Sequence, residues 1–168
     1  AGDYSGAVIY LFSYQLLQNQ TDYIDPRGFR TRYRYNDLGN VEAIEYPDGE
    51  IERWTWVNHQ VTSHTDPLGH VETFRYDAHG NLIGATDATG IEATFDYEPV
   101  FAKPTRLALP GGRETRLSYD TRGNPTEIRD AEGGVRLLEW DDHGLPVRIT
   151  DAKGNAFTRQ YNPAGQLI

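Results

Sequence analysis

Apolar and polar positions alternate in short stretches of this chain, and the alternation returns at a nearly constant interval. Tyr14, Tyr35, Trp56, Tyr76, Tyr97, Tyr119, Trp140 and Tyr161 stand 20 to 22 residues apart, although the chain holds only 11 Tyr and 3 Trp. Two residues before these anchors lie Phe12, Tyr33, Trp54, Phe74, Phe95, Leu117 and Leu138, with Arg159 the one polar exception. One residue before them lie Ser13, Arg34, Thr55, Arg75, Asp96, Ser118, Glu139 and Gln160, all polar. A period of two turns successive side chains to opposite faces, so each anchor closes a predicted β-strand.

Two turn signals punctuate each period. One follows the anchor, as in Tyr35-Asn36-Asp37-Leu38-Gly39-Asn40, Tyr76-Asp77-Ala78-His79-Gly80-Asn81, Tyr119-Asp120-Thr121-Arg122-Gly123-Asn124, Trp140-Asp141-Asp142-His143-Gly144 and Tyr161-Asn162-Pro163-Ala164-Gly165. The other comes about ten residues later, at Asp25 to Gly28, Asp66 to Gly69, Asp87 to Gly90, Asp130 to Gly133 and Asp151 to Gly154. Asp or Asn can bond its own backbone two residues on, Pro presets φ, and Gly accepts the positive φ that closes a hairpin. Gly28, Gly39, Gly69, Gly80, Gly90, Gly123, Gly144 and Gly154 are therefore the candidate turn glycines.

Between the two turns lies a second short segment, which places Ile44, Ala85, Ile128 or Ile149 five residues beyond the turn glycine. Strand, turn, strand, turn is the unit, and its repetition predicts an all-β, antiparallel meander of two-stranded modules of about twenty-one residues. A lone hairpin is marginal in water, whereas stacked modules share their gain along an array. So wide a twisted sheet is expected to curl, with the anchors stacked in an aromatic ladder. The array is read over residues 14–168, with residues 1–13 as an atypical entry segment. The chain starts at Ala1 and stops within a period, which suggests a piece of a longer polypeptide.

The run Tyr76-Asp77-Ala78-His79-Gly80-Asn81-Leu82, returning about every twenty-one residues with Asp-x-x-Gly between, resembles the YD repeat of the Rhs family. The resemblance covers the chain from about Tyr14 onward. It implies a spiral β-shell that encloses a toxic domain until delivery, as in bacterial Rhs effectors and the B and C subunits of Tc toxins, with the adhesion teneurins as relatives. The implied partners are the remainder of the parent shell and its enclosed toxin domain, with secretion-apparatus or cell-surface proteins as further candidates. The implied destination is secretion or delivery by a bacterial secretion system. Departures are Trp56 and Trp140 for Tyr, Glu98 for the Asp after Tyr97, and Gln60 where a turn glycine is expected. Pro99, Pro104 and Pro110 predict an irregular loop or bulge after Tyr97. The family's self-cleaving core segment has no match, since Asp66-Pro67-Leu68-Gly69 falls on a turn beat. No catalytic residue is carried over.

Composition narrows the chemistry. Sixteen Lys and Arg against 25 Asp and Glu leave a net charge of −9, which disfavours nucleic acid and anionic lipid. No Cys is present, so neither disulfide nor thiolate chemistry arises. The longest apolar run, Ala7 to Phe12, is too short to span a bilayer. His59, His64, His70, His79 and His143 match no metal-ligand spacing, so neither metal nor cofactor is expected. Asp141-Asp142 lies on a turn beat, no nucleophile elbow surrounds a serine, and the segment is read as non-enzymatic. Asn19-Gln20-Thr21 fits a glycan-acceptor triplet. The rival to a structural wall is a glycan- or receptor-binding module, in which solvent-facing Tyr35, Trp56 and Tyr76 would stack on sugar rings.

Overall fold

The structure, a computed structural model, describes residues 11–15 and 19–168. Its strands are β1 (Leu11–Gln15), β2 (Gln20–Ile24), β3 (Arg30–Tyr35), β4 (Val41–Glu45), β5 (Ile51–Val57), β6 (Gln60–Thr65) and β7 (Val71–Tyr76). They continue as β8 (Leu82–Thr86), β9 (Glu92–Tyr97), β10 (Pro104–Leu109), β11 (Arg113–Tyr119), β12 (Pro125–Arg129), β13 (Val135–Trp140), β14 (Pro146–Thr150) and β15 (Ala156–Thr158). A 3-10 turn, Pro110–Gly112, joins β10 to β11. Strand order in the sheet is chain order from β1 to β15, the all-β antiparallel meander that the repeat predicts. The 13/14 boundary of the array falls inside β1, and the rest of the entry segment lies outside the described residues.

The chain divides into two compact units, residues 1–75 with 86–89 and residues 76–85 with 90–168. In the first, Phe12 lies opposite Tyr23, Tyr33 opposite Ile44 and Trp54 opposite His64. In the second, Leu107 faces Phe95, Leu117 faces Ile128, and Ile149 lies between Leu138 and Phe157. Except at Trp54, which meets His64, the residue two before the anchor in these pairs meets an apolar or aromatic residue of the next strand, the cross-strand pairing that stabilises a sheet. Intervening positions carry charge: Arg32 bonds Asp22 at 2.8 Å, and Arg106 joins Asp96 at 3.1 Å to Glu114 at 2.9 Å. Among the described residues no hydrophobic side chain is fully buried; only Thr21 and Asp22 are both polar and buried. Tyr33, Ile44, Trp54, Phe95, Leu107, Leu117, Ile128 and Ile149 rest half-buried against their strand neighbours, while Phe12 and Phe157 are exposed.

The ladder slips by one residue at the anchors, between Arg34 and Tyr35, Thr55 and Trp56, Ser118 and Tyr119, and Glu139 and Trp140. Such bulges bend a strand locally and re-aim the side chain at the bulge. The two unequal periods also have structural causes. After Trp56 the hairpin closes with only Asn58 and His59, both at positive φ (48° and 64°), with Val57 opposite Gln60. This compact turn needs no glycine and shortens the period by one. After Tyr97 the turn is one residue longer, since the Glu98 N–H bonds the Lys103 carbonyl where Asp77 bonds Asn81. The expected irregularity falls in that turn, in a register shift between Pro104 and Arg106 and in the 3-10 turn at Pro110–Gly112, while β10 itself forms.

Candidate functional site

Most periods share one Asp or Asn turn, and five of them add a bond from the anchor to a backbone carbonyl. At Asp77 one carboxylate oxygen accepts the N–H groups of His79 and Asn81, both at 2.9 Å. Asp25, Asn36, Asp66, Asp120, Asp130, Asp141, Asp151 and Asn162 accept the amides two and four residues on in the same way. The turn after the anchor and the turn ten residues later therefore share one geometry. The Asn81, Asn124 and Asn155 side-chain amides, followed by the backbone amides, hold Asp77, Asp120 and Asp151 below the usual aspartate range. Leu145 and His143 amides do the same for Asp141. Glu98 is a variant: burial pushes it up, but the Lys103, Val100 and Phe101 amides outweigh that and lower it. Its longer side chain spans the longer loop.

All eight predicted turn glycines adopt positive φ, between 78° and 90°. Gly49, at 90°, is one that sequence reasoning missed, because Tyr46 stands where the turn signal has Asp. The backbone turn forms regardless, with Gly49 N–H to the Tyr46 carbonyl at 3.0 Å.

Five anchors reach back fifteen residues to a backbone carbonyl at the start of the preceding strand. The Trp56 and Trp140 indole N–H groups donate to Val41 and Pro125 at 2.7 and 2.6 Å. The Tyr97, Tyr119 and Tyr161 hydroxyls donate to Leu82, Pro104 and Pro146 at 2.9, 2.6 and 3.0 Å. Tyr and Trp share a polar donor at the far end of a flat ring, which explains why both serve and Phe never does. Tyr35 ends β3, with its backbone N–H on the Asn19 carbonyl at 2.8 Å, and Tyr76 ends β7. Tyr14 in β1 is 70% exposed, its ring 6.4 Å from Phe12. Among the described residues no two anchor rings stack, since anchors occupy every second strand, roughly 9 to 10 Å apart. The link from module to module is a hydrogen bond.

The histidines occupy separate places. His59 bonds Asn40 at 2.8 Å and His70 bonds Asp66 at 2.8 Å, while His79 and His143 lie in turns. His64 is different: Nε2 lies 2.6 Å from Glu52, Nδ1 lies 3.4 Å from Glu72, and its ring stacks on Trp54 at 5.3 Å. Burial opposes its charge, but the bonds to both glutamates outweigh that and raise its pKa above the free value. The Tyr46 hydroxyl donates to Glu52 at 2.6 Å, and that bond, with burial, pushes the phenol up to about 12. Among the described residues no group of His, Asp and Glu is arranged to hold a metal ion. Asp141 serves its turn and Asp142 pairs with Arg122 at 3.1 Å. The Asn19 side chain donates to Asp37 at 3.1 Å.

Comparison with known proteins gives this geometry a family. The RHS Repeat model matches residues 16–51, 56–92, 103–135 and 140–168, well over half of the sequence, and the chain belongs to that family. Toxin protein Tse5 of Pseudomonas aeruginosa is 29% identical over 110 residues, covering 61% of this chain and 8% of the relative. Probable deoxyribonuclease RhsB of Dickeya dadantii is 30% identical over 113 residues, covering 66% and 8%. The chain thus spans less than a tenth of the length of these curated relatives. Among solved structures, TcdB2-TccC3 shares the fold at a TM-score of 0.63 and 15% identity, over 82% of this chain and 9% of that one.

Proposed function

We propose that the chain is a wall segment of an Rhs shell that encloses a toxin or effector domain and is emptied at a target cell. The observation that carries this reading is the module-to-module bond from anchor to carbonyl, repeated at Trp56, Tyr97, Tyr119, Trp140 and Tyr161. It turns a series of marginal hairpins into one extensible sheet, which is what a wall requires and a discrete catalytic pocket does not. Membership in the Rhs family and similarity to toxin proteins support the same reading. The segment performs no chemistry in it, and its partners are the neighbouring repeats and the enclosed domain. Delivery from a secreting bacterium follows from the same family reading.

The test is protease protection of the enclosed domain in the parent polypeptide. Intact protein should shield that domain, and Gly123→Val, which breaks one module, should admit protease. A domain digested equally with and without the substitution would overturn containment.

A further inference from the structure

The cluster on β5, β6 and β7 does something the other modules do not. Elsewhere among the described residues the anchors join strands through indole and phenol donors, the ion pairs between strands set arginine against carboxylate, and His59 meets only the neutral side chain of Asn40. His64 alone places a group that titrates in this range between two strands, with a carboxylate at each ring nitrogen.

The two contacts make different demands on the ring. An imidazolium has two N–H donors and satisfies Glu52 and Glu72 together; a neutral imidazole has one N–H, and its other nitrogen turns a lone pair toward a carboxylate. The site is partly shielded, His64 at 23% exposure and Glu52 at 20%. The face-to-face contact with Trp54 holds the ring in place. Glu52 faces His64 from β5 and Glu72 from β7, and Tyr46, at the end of β4, holds the second oxygen of Glu52. Arg53 alternates to the other face of β5. His70, at the start of β7, is engaged by Asp66.

We infer that His64 is a pH-operated clamp, which binds β5, β6 and β7 together when protonated and releases one of them when neutral. The direction follows from linkage. A histidine with a raised folded pKa contributes stability that is complete below the free value, near 6.5, and is lost as pH rises through the folded value. The clamp therefore tightens in acid and loosens on return to neutral or alkaline surroundings. This goes beyond the wall reading and does not rest on it, since both measurements below probe the chain whatever it encloses.

The experiment is hydrogen exchange by mass spectrometry on the parent polypeptide between pH 5.5 and 8.5, corrected for intrinsic exchange rates. The C2 proton of His64 should titrate above 6.5. Amides of β5 to β7 should be better protected at the acid end, by about tenfold for each pH unit separating the folded and free values, while β11 to β14 stay level. His64→Gln, which cannot titrate, should abolish the difference, and Glu72→Gln should narrow it. A His64 midpoint at or below 6.5 in the unaltered protein overturns the clamp without any variant. An unchanged pH profile in His64→Gln overturns it as well.

Discussion

The recurring choice of Tyr or Trp at the anchors is a choice of donor as much as of apolar area. Phe would bury the same ring, but the carbonyl fifteen residues earlier would lose its partner. Tyr97→Phe should lower stability by about 1 kcal/mol in a denaturant titration, the net worth of one such bond. An unchanged midpoint would show that the hydroxyl is idle. Turn carboxylates differ from anchors in that they titrate. Asp77, Asp120, Asp141 and Asp151 have lowered folded pKa values, so their contribution is present above the free value, 3.8, and is lost as pH falls below it. Asn36 and Asn162 make the same two bonds uncharged. Asp120→Asn should accordingly keep its turn while flattening the acid end of the stability profile. If that profile keeps its shape, the carboxylate bonds are not what acid removes. At the other extreme, Tyr46, folded pKa about 12, contributes stability that is complete below pH 10 and lost through pH 12. Tyr46→Phe should remove that alkaline step, as followed by denaturant titration across pH 9 to 12.

At the scale of the element, one turn geometry is reused with different surroundings. Gly28 has a φ of 88° and nothing within 4 Å of where a Cβ would stand. Gly123 has a φ of 82°, but a Cβ there would lie 2.9 Å from the Phe101 ring and 3.0 Å from the Lys103 ammonium. Lys103 also caps the Gly123 carbonyl and lies over the Tyr119 ring at 5.8 Å. Gly28→Ala should therefore cost only the left-handed backbone penalty, about 1 to 2 kcal/mol, and Gly123→Ala measurably more. Equal losses in paired melting curves would mean that the Phe101 loop yields freely. Unequal turn lengths were visible in the sequence as periods of 20 and 22 residues, yet their causes were not. The Asn58-His59 turn and the reach of Glu98 depend on which backbone amides lie close, and spacing alone does not carry that.

At the scale of the whole molecule, strands are held by contacts with their neighbours in the sheet, and among the described residues no hydrophobic side chain is fully buried. Damage should then stay local, as expected of a quasi-one-dimensional array. Tyr119→Ala should raise hydrogen exchange in β10 to β12 and leave β14 and β15 protected; uniform loss across all five would indicate a cooperativity that neighbour contacts cannot supply. Alternation and turn chemistry are local properties, acting over two to five residues, so the chain's own order of residues was enough to determine its strands, most of its hairpins and the family they belong to, and eight of its left-handed glycines, though not Gly49, Gly111 or Gly112. What the anchors do was decided only in three dimensions. Bulges re-aim Tyr35, Trp56, Tyr119 and Trp140, anchors two strands apart are too distant to stack, and the bond to a carbonyl fifteen residues back exists only once the strands are in register. The placement of His64 between Glu52 and Glu72 has the same origin: three residues spread over twenty-one positions have no common signal until adjacent strands bring them side by side.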